Sequence, residues 1–418
     1  MVSLENARDI LDKYVDESLM KHQKTERISL WEAGGRVLAQ DIVSREDIPA
    51  FHRSQMDGFA LLSSDIATAA PDNPVVLRII DTVAAGSFSR KKLVGGTAMK
   101  IFTGAPLPSG ADCIVKREDT ESDGDQADLV VVKRPVHSGE NISRKGEDIV
   151  TGDALFPAGS IISFSHIEIL AALGVDPVTV FAKPRIGVFS TGNELVDLSD
   201  PLTYGKLRAS NLYTLAELIR LAGGEPVNLG VIRDRLEDVL GVYEKAEQLG
   251  LPVAISTGGT ASGDLDYTKS ALEQTHSTRL FNKVAIRPGA PFVTSVRENQ
   301  LLVGLSGNPG GAIVAFLLLL LPIISRLEGA KRELTPGRGR LTVPITRYGG
   351  LRGFFWGRYV GDGVCPDVTY LDNQFCGAMH THTMINCFIE IPAQRVDLQV
   401  GDEVVIWKLP FTQWRLLP

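Results

Sequence analysis

Along the first 19 residues, Leu4, Ala7, Leu11, Val15 and Leu19 recur at helical spacing opposite Asp9 and Asp12, which predicts an amphipathic N-terminal helix. Ser29 and Glu32 follow as S-x-x-E, a capping box for a short helix that ends at Gly34-Gly35. From about 46 to 140 the period shortens. β-Branched runs such as VVLRII (75–80) and LVVVKRPV (129–136) are punctuated by Pro, Gly, Asp and Ser, the pattern of a mostly β insertion. Residues 161–174 return to a helical pattern that stops at Gly174.

The stretch 184–327 alternates. IGVFS (186–190), VNLGVI (227–232), VAIS (253–256) and LLVGL (301–305) read as strands. SNLYTLAELIRLAGG (210–224) reads as an amphipathic helix, as does DRLEDVLGVYEKAEQLG (234–250), opened by D-x-x-E, and a further helix follows Pro309. Strands alternating with helices imply parallel crossovers and a doubly wound α/β sheet. After Pro336-Gly337 come about 80 residues of strand-like runs and turns, which predict a small all-β domain. The run AIVAFLLLLLPII (312–324) has 13 residues, fewer than the ~20 that a spanning helix needs, and Pro322 interrupts it. It is expected to be a buried core helix, with no membrane partner.

Composition narrows the classes. With 418 residues, 44% hydrophobic and 22% charged, the chain has enough apolar material for several cores. The net charge of −7 argues against a duplex-coating role, and no basic, aromatic-interleaved patch suits a single strand, so no nucleic-acid partner is expected. Residues 331–418 differ, with 10 basic against 8 acidic positions, and could offer a local anion site. Four cysteines make no disulfide framework, and the charged start MVSLENARDI lacks the apolar run of a secretory signal, so a cytoplasmic location is expected.

Three Gly-containing turns directly follow predicted strands: STGNE (190–194), STGGTASGDLD (256–266) and LSGNPGG (305–311). In an open parallel sheet ligands sit outside the carboxyl ends of the strands, so these turns predict one shared pocket. Glycine admits close backbone approach, and Ser190, Thr191, Ser256, Thr257, Thr260 and Ser262 add hydroxyl donors, which suits phosphate or another oxyanion. Glu194, Asp264 and Asp266 would repel such a ligand unless a hard cation lies between, and Mg²⁺ takes carboxylate and phosphate oxygens together. Asp264 or Asp266 could equally cap a helix over Tyr267–Gln274. Arg287, at the Pro-Gly turn of VAIRPGAPFV, is a candidate anion contact. Two further polar segments, PAFHRSQMDGFAL (49–61) and NISRKGEDIVTGD (141–153), read on spacing alone as surface turns with ordinary ion pairs. Cys376, His380, His382 and Cys387 match no zinc-ligand spacing, and His380-x-His382 on a strand would merely share a face.

Taken in order, these segments resemble the MoeA/gephyrin E-domain family of molybdopterin molybdenumtransferases. The matching strings are PAFHRSQMDGFAL, IFTGAPLPSGADCIVKRED (101–119), NISRKGEDIVTGD, GVFSTGNELV (187–196), STGGTASGDLDYTK (256–269), AIRPGAPF (285–292) and LVGLSGNPGGAIVAF (302–316). The resemblance implies a multidomain α/β plus β chain: linking helices in 1–45 and 141–180, a β-rich lobe at 46–140, a doubly wound α/β molybdopterin-binding domain at 181–330 and a β-barrel at 331–418. It implies a homodimer whose active site lies between the α/β domain of one subunit and the β domains of the other. It also implies insertion of molybdate into adenylylated molybdopterin with release of AMP, helped by Mg²⁺. Asp57, Asp148, Glu194, Asp234, Asp264 and Asp266 match the family's acidic motif positions, Glu194, Asp264 and Asp266 being the expected metal ligands. Ser190, Thr191, Gly192, Ser256, Thr257, Gly258, Gly259, Ser262, Arg287, Gly307, Asn308 and Pro309 are the expected contacts to the pterin or its phosphates.

The chain also departs from the pattern. The family's K-P-G-K-P reads Arg287-Pro288-Gly289-Ala290-Pro291, so the second cation is lost. The Ser of an S-G pair in the last domain is Cys376, and S-A-M-D-G has become Ser54-Gln55-Met56-Asp57-Gly58. Arg347 or Arg352 could compensate for the missing lysine. Otherwise the chain could be a relative that binds the cofactor precursor without turnover.

Overall fold

The computed structural model describes residues 1–121, 128–259, 267–347, 349–361, 363–394 and 396–410, in two compact units. The first comprises Met1–Arg27 and Thr179–Pro418. It opens on helix α1 (Leu4–Tyr14), where Ser3 Oγ accepts the Asn6 N–H at 3.1 Å. The helix continues as a π-turn, Val15–Leu19, and all five residues of the predicted stripe are buried.

The alternating stretch forms β1 (Arg185–Thr191), α2 (Ser210–Leu221), β2 (Glu225–Ile232), α3 (Leu236–Gln248), β3 (Val253–Thr257), α4 (Tyr267–Gln274), β4 (Thr278–Lys283), β5 (Pro291–Arg297), β6 (Gln300–Leu305) and α5 (Pro309–Leu327). The sheet order is β2-β1-β3-β6-β5-β4. The first four strands are parallel, whereas β5 and β4 add an antiparallel edge that joins β6 by tight connections. Strand alternation divides the core in two. Ile186, Val188, Val253, Ile255 and Val303 pack with α1, α2 and α5, while Phe189, Ala254 and Leu302 face α3 and α4. That is the doubly wound arrangement.

Pro322 does not interrupt the apolar helix. The helix passes through it by a π-turn at Phe316–Leu320. Leu318 O, four residues before the proline that cannot donate, instead accepts from Arg8 Nε at 3.0 Å. The 19-residue α5 is long and apolar enough to cross a membrane by length and composition, yet nearly all of it is buried within the protein.

Residues 336–408 contain β7 (Pro336–Leu341), β8 (Arg352–Val360), β9 (Asp367–Tyr370), β10 (Cys387–Ile391) and β11 (Glu403–Lys408). Their order β8-β9-β7-β11-β10 closes through β8–β10 pairing into a five-stranded barrel around Leu341, Val368, Ile389 and Ile406. Gly310, in the first turn of α5, donates its N–H to Cys376 O at 2.8 Å and leaves no room for a Cβ, which would stand 2.9 Å from Trp356.

The second unit, Ile28–Val178, carries a six-stranded mixed sheet in the order Cys113–Lys116, Gly58–Leu61, Thr97–Ile101, Val75–Val83, Leu129–Val132, Thr120–Glu121. Ser29 accepts the Trp31 N–H at 3.3 Å, and the short helix it opens is one 3₁₀ turn, Leu30–Glu32. A true capping box, Ser163 with His166, opens the helix Phe164–Ala172. Gly174, at φ +64°, stops it.

Candidate functional site

Three strand ends of the parallel sheet converge on a cavity of about 750 Å³, lined by residues of the turns after β1, β3 and β6. Ser190, Thr191, Gly192 and Glu194 come from the first turn, Thr257, Gly258 and Gly259 from the second, Gly307, Asn308 and Pro309 from the third, and Asp234 from the turn after β2. Glycine is required where the turns meet. At Gly258, with φ +98°, a Cβ would stand 2.2 Å from Thr191 O. A Cβ at Gly192 would lie 2.7 Å from both carboxylate oxygens of Glu194, so the glycine lets that carboxylate fold back over the turn.

The polar floor is divided between groups already bonded and groups held open. Thr257 Oγ1 donates to Ser306 O at 3.0 Å and accepts from Asn211 Nδ2 at 3.0 Å, and the same amide reaches Gly307 O at 2.8 Å. One asparagine thus ties the start of α2 to two turns. Ser190 and Thr191 differ: both are buried, and neither hydroxyl has a hydrogen-bond partner among the described residues. A buried hydroxyl without a partner carries a desolvation cost of about 1–3 kcal/mol.

Asp234 does not cap α3. The helix begins at Leu236 without a side-chain cap. Asp234 Oδ2 instead accepts the Asn193 N–H at 3.1 Å, and Asn193 Oδ1 accepts the Asp234 N–H at 3.3 Å. This reciprocal pair joins the β1 and β2 turns, so Asp234 and Glu194 stand in the same cavity wall.

Not every expected contact is in this cavity. Ser256 is turned away: strand alternation points it to the α3 side, where it is fully buried with its Oγ against Tyr243 (3.4 Å) and Val303 O (3.3 Å). Arg287 does not line the cavity. It sits on a two-residue strand, Ile286–Arg287, paired in parallel with the start of β8. That pairing puts it on the barrel side, and its charge opposes the burial that pushes the Cys376 thiol up. Thr260, Ser262, Asp264 and Asp266 lie outside the described residues. His380 and His382 are on a helical turn, Met379–His382, not a strand, and His382 meets Trp356 edge-on at 4.7 Å between ring centroids.

Asp57 and Asp148 belong to the second unit, where the two polar segments form more than separate surface turns. Arg53–Ser54 pairs antiparallel with Ile142–Ser143, and the Asp148 N–H donates to Ile48 O at 3.0 Å. IFTGAPLP joins them through Gly104 N to Ser54 O at 2.8 Å. Asp57 Oδ1 accepts both the N–H (2.8 Å) and the hydroxyl (2.7 Å) of Thr103, and these bonds hold its carboxyl below the usual range. Backbone pairing therefore joins three separated motif strings, and two of them meet at the Asp57 carboxylate.

Neither candidate substitute for the missing lysine is free. Arg352 bonds Glu390 at 2.8 Å and also Glu5, while Arg347 is spread over the carbonyls of Leu351, Ile391 and Pro392.

Comparison with known proteins places this geometry. Residues 2–174 match the family description "MoeA N-terminal region (domain I and II)", and residues 187–326 match "Probable molybdopterin binding domain". A molybdopterin molybdenumtransferase of Bacillus subtilis is 38% identical over 305 residues, 73% of this chain and 71% of that protein. One from a Nostoc species is 30% identical over 416 residues, covering 98% and 94%. The chain belongs to the molybdopterin molybdenumtransferase family. It is thus an enzyme-family member of molybdenum cofactor biosynthesis. The crystal structure of a molybdopterin biosynthesis MoeA protein from Pyrococcus horikoshii superposes with a TM-score of 0.84 at 30% identity, over 99% of this chain and all of that one.

Within the family match at 187–326 lie all three Gly-rich turns and Asn211. Pattern reading missed Arg208, Asn211, Ser306 and the apolar wall of Leu195, Leu202, Leu207 and Met379. Residues 197–209 have neither helical nor strand period, so nothing in the segment marks it as part of a site. The S-N pair opening α2 reads in the sequence only as a helix start.

Proposed function

We propose that the protein takes adenylylated molybdopterin and molybdate, places the metal at the dithiolene sulfurs while a molybdate oxygen leaves as water, and releases AMP as water cleaves the phosphoanhydride bond, the other phosphate staying on the pterin. The single observation that carries this reading is the pair of buried, unpartnered hydroxyls at Ser190 and Thr191 on the floor of a Gly-rich cavity that also holds Glu194 and Asp234. In this reading the hydroxyls donate to phosphate oxygens, and Leu202 and Leu207 offer an apolar surface to a ring.

The donor set fits Mg²⁺: two carboxylates on one wall are the number that this ion usually takes from protein when substrate phosphates complete its shell. Glu194 and Asp234 are the described residues that would hold it. When bound, the ion neutralises phosphate charge that the two carboxylates alone would repel.

A second reading has its own support. With Ala290 in the motif, and with Arg347 and Arg352 engaged by protein oxygens, the lost cation is not replaced by either of those two residues. The protein would then hold the precursor without turnover. AMP release from adenylylated molybdopterin with Mg²⁺, measured with and without molybdate, separates the two. Molybdate-dependent release by the wild type supports the transferase, with release falling at least 100-fold in Glu194→Ala if that residue holds the ion. Tight binding without release, restored in Ala290→Lys, supports the binding relative.

A further inference from the structure

We propose that Arg208 holds the phosphoryl group of the nucleotide part of the substrate, an inference that rests on the nucleotide reading above. Among the described residues lining the cavity it is the one basic residue, against two acidic ones, Glu194 and Asp234. A phosphorylated ligand brings further negative charge to that wall, and guanidinium is the group whose planar fork matches phosphate oxygens.

The backbone at Arg208 is fixed while its side chain is free. Leu195–Val196 and Leu207–Arg208 form a two-rung parallel ladder with Val196 opposite Arg208. The Leu207 N–H donates to Glu194 O at 2.8 Å, and the Ala209 N–H donates to Val196 O at 3.0 Å. Directly after, Asn211 ties the start of α2 to Thr257 and Gly307. The Arg208 side chain is exposed, and no carboxylate of the described residues pairs with it. Arg326 and Arg352 of this unit are by contrast committed, Arg326 to Asp12 and Asp16, Arg352 to Glu5 and Glu390. Lys206, two residues earlier, places its ammonium on Asn193 O at 2.5 Å. An unengaged guanidinium on a rigid rung, at the mouth of an oxygen-lined cavity, is organised for an anion from outside the protein.

Calorimetric titration of the full chain in Mg²⁺ buffer with AMP, adenosine and molybdate tests the assignment in wild type, Arg208→Gln and Arg208→Lys. In Arg208→Gln, AMP affinity is expected to fall about 10- to 100-fold, the loss of one charge-assisted contact. Adenosine affinity stays unchanged, the salt dependence of AMP binding flattens, and Arg208→Lys recovers part of the loss. Unchanged AMP affinity in Arg208→Gln overturns the proposal, as does a parallel fall for adenosine, which would mark a structural role. Loss of molybdate binding with AMP binding intact also overturns it and reassigns the residue to the other oxyanion. A wild type that binds neither AMP nor adenosine overturns the nucleotide reading itself.

Discussion

Ser190 and Thr191 are adjacent in β1, buried, and without partners for their hydroxyls among the described residues, so the ligand-free protein carries a cost there of about 1–3 kcal/mol for each. Thr191→Val, which keeps the shape, is therefore expected to leave the melting temperature unchanged or raise it, while AMP affinity falls several-fold. A lower melting temperature with AMP binding intact in calorimetry would make the hydroxyl structural. These two residues were legible because a hydroxyl pair before a glycine at a strand end has few other uses. Ser256 was not, since its sequence context is almost the same and only the parity of β3 turns it inward to Tyr243. Asp57 allows a pH test. The Thr103 N–H, and then its hydroxyl, hold the folded carboxyl below its unfolded value. The stability this gives is present above the unfolded value of about 4 and is lost as pH falls through the lower folded value. Asp57→Asn is accordingly expected to be less stable than wild type at pH 7 in urea titration, with the two curves approaching each other as the pH falls below about 4. A difference that persists there would mean that the carboxylate charge is not the cause.

Among elements, glycine substitution distinguishes a turn that builds the site from a helix that only supports it. Gly258 has φ +98°, and a Cβ there would overlap Thr191 O at 2.2 Å. Gly241 lies in the interior of α3, with no positive φ and no atom within 4 Å of the place a Cβ would take. Gly258→Ala is expected to destabilise by about 1–3 kcal/mol or more, with the β1 and β3 turns forced apart, while Gly241→Ala stabilises by about 0.5–1 kcal/mol. Chemical denaturation of both variants checks the pair, and equal effects would contradict the packing described. The existence and type of most elements in 184–327 follow from period alone, because buried parallel strands are continuous apolar runs. What period cannot report is long-range rescue. Pro322 reads locally as a break, and only a donor from α1, Arg8, lets the helix pass. Likewise D-x-x-E at 234–237 reads as a cap until Asn193, some 40 residues earlier, is brought beside Asp234.

At the scale of the molecule, strand alternation and the change of period near 336 were enough to anticipate an α/β sheet followed by a small all-β domain, and only the family resemblance implied a barrel. Barrel closure was not visible, because it depends on β8 pairing with β10 across most of the domain. Assembly is the remaining question at this scale, and we propose a homodimer. In the second unit Trp31 is 96% exposed and Phe164 is 87% exposed. The 3₁₀ turn that carries Trp31 lies beside the helix that begins at Phe164, so the two exposed side chains are carried by neighbouring elements. Leaving such groups in water forgoes roughly 1.5–3 kcal/mol for each that a second copy could bury, and exposed apolar patches mark association surfaces. Trp31→Glu and Phe164→Glu place a charge where the apolar contact would form, without touching any hydrogen bond of the site. Sedimentation velocity is expected to show a dimer for the wild type and a concentration-dependent shift to monomer for each variant, with far-ultraviolet circular dichroism unchanged. If the wild type sediments as a monomer, the dimer proposal fails. If both variants remain dimeric, the interface lies elsewhere and the exposure of Trp31 and Phe164 has a different cause.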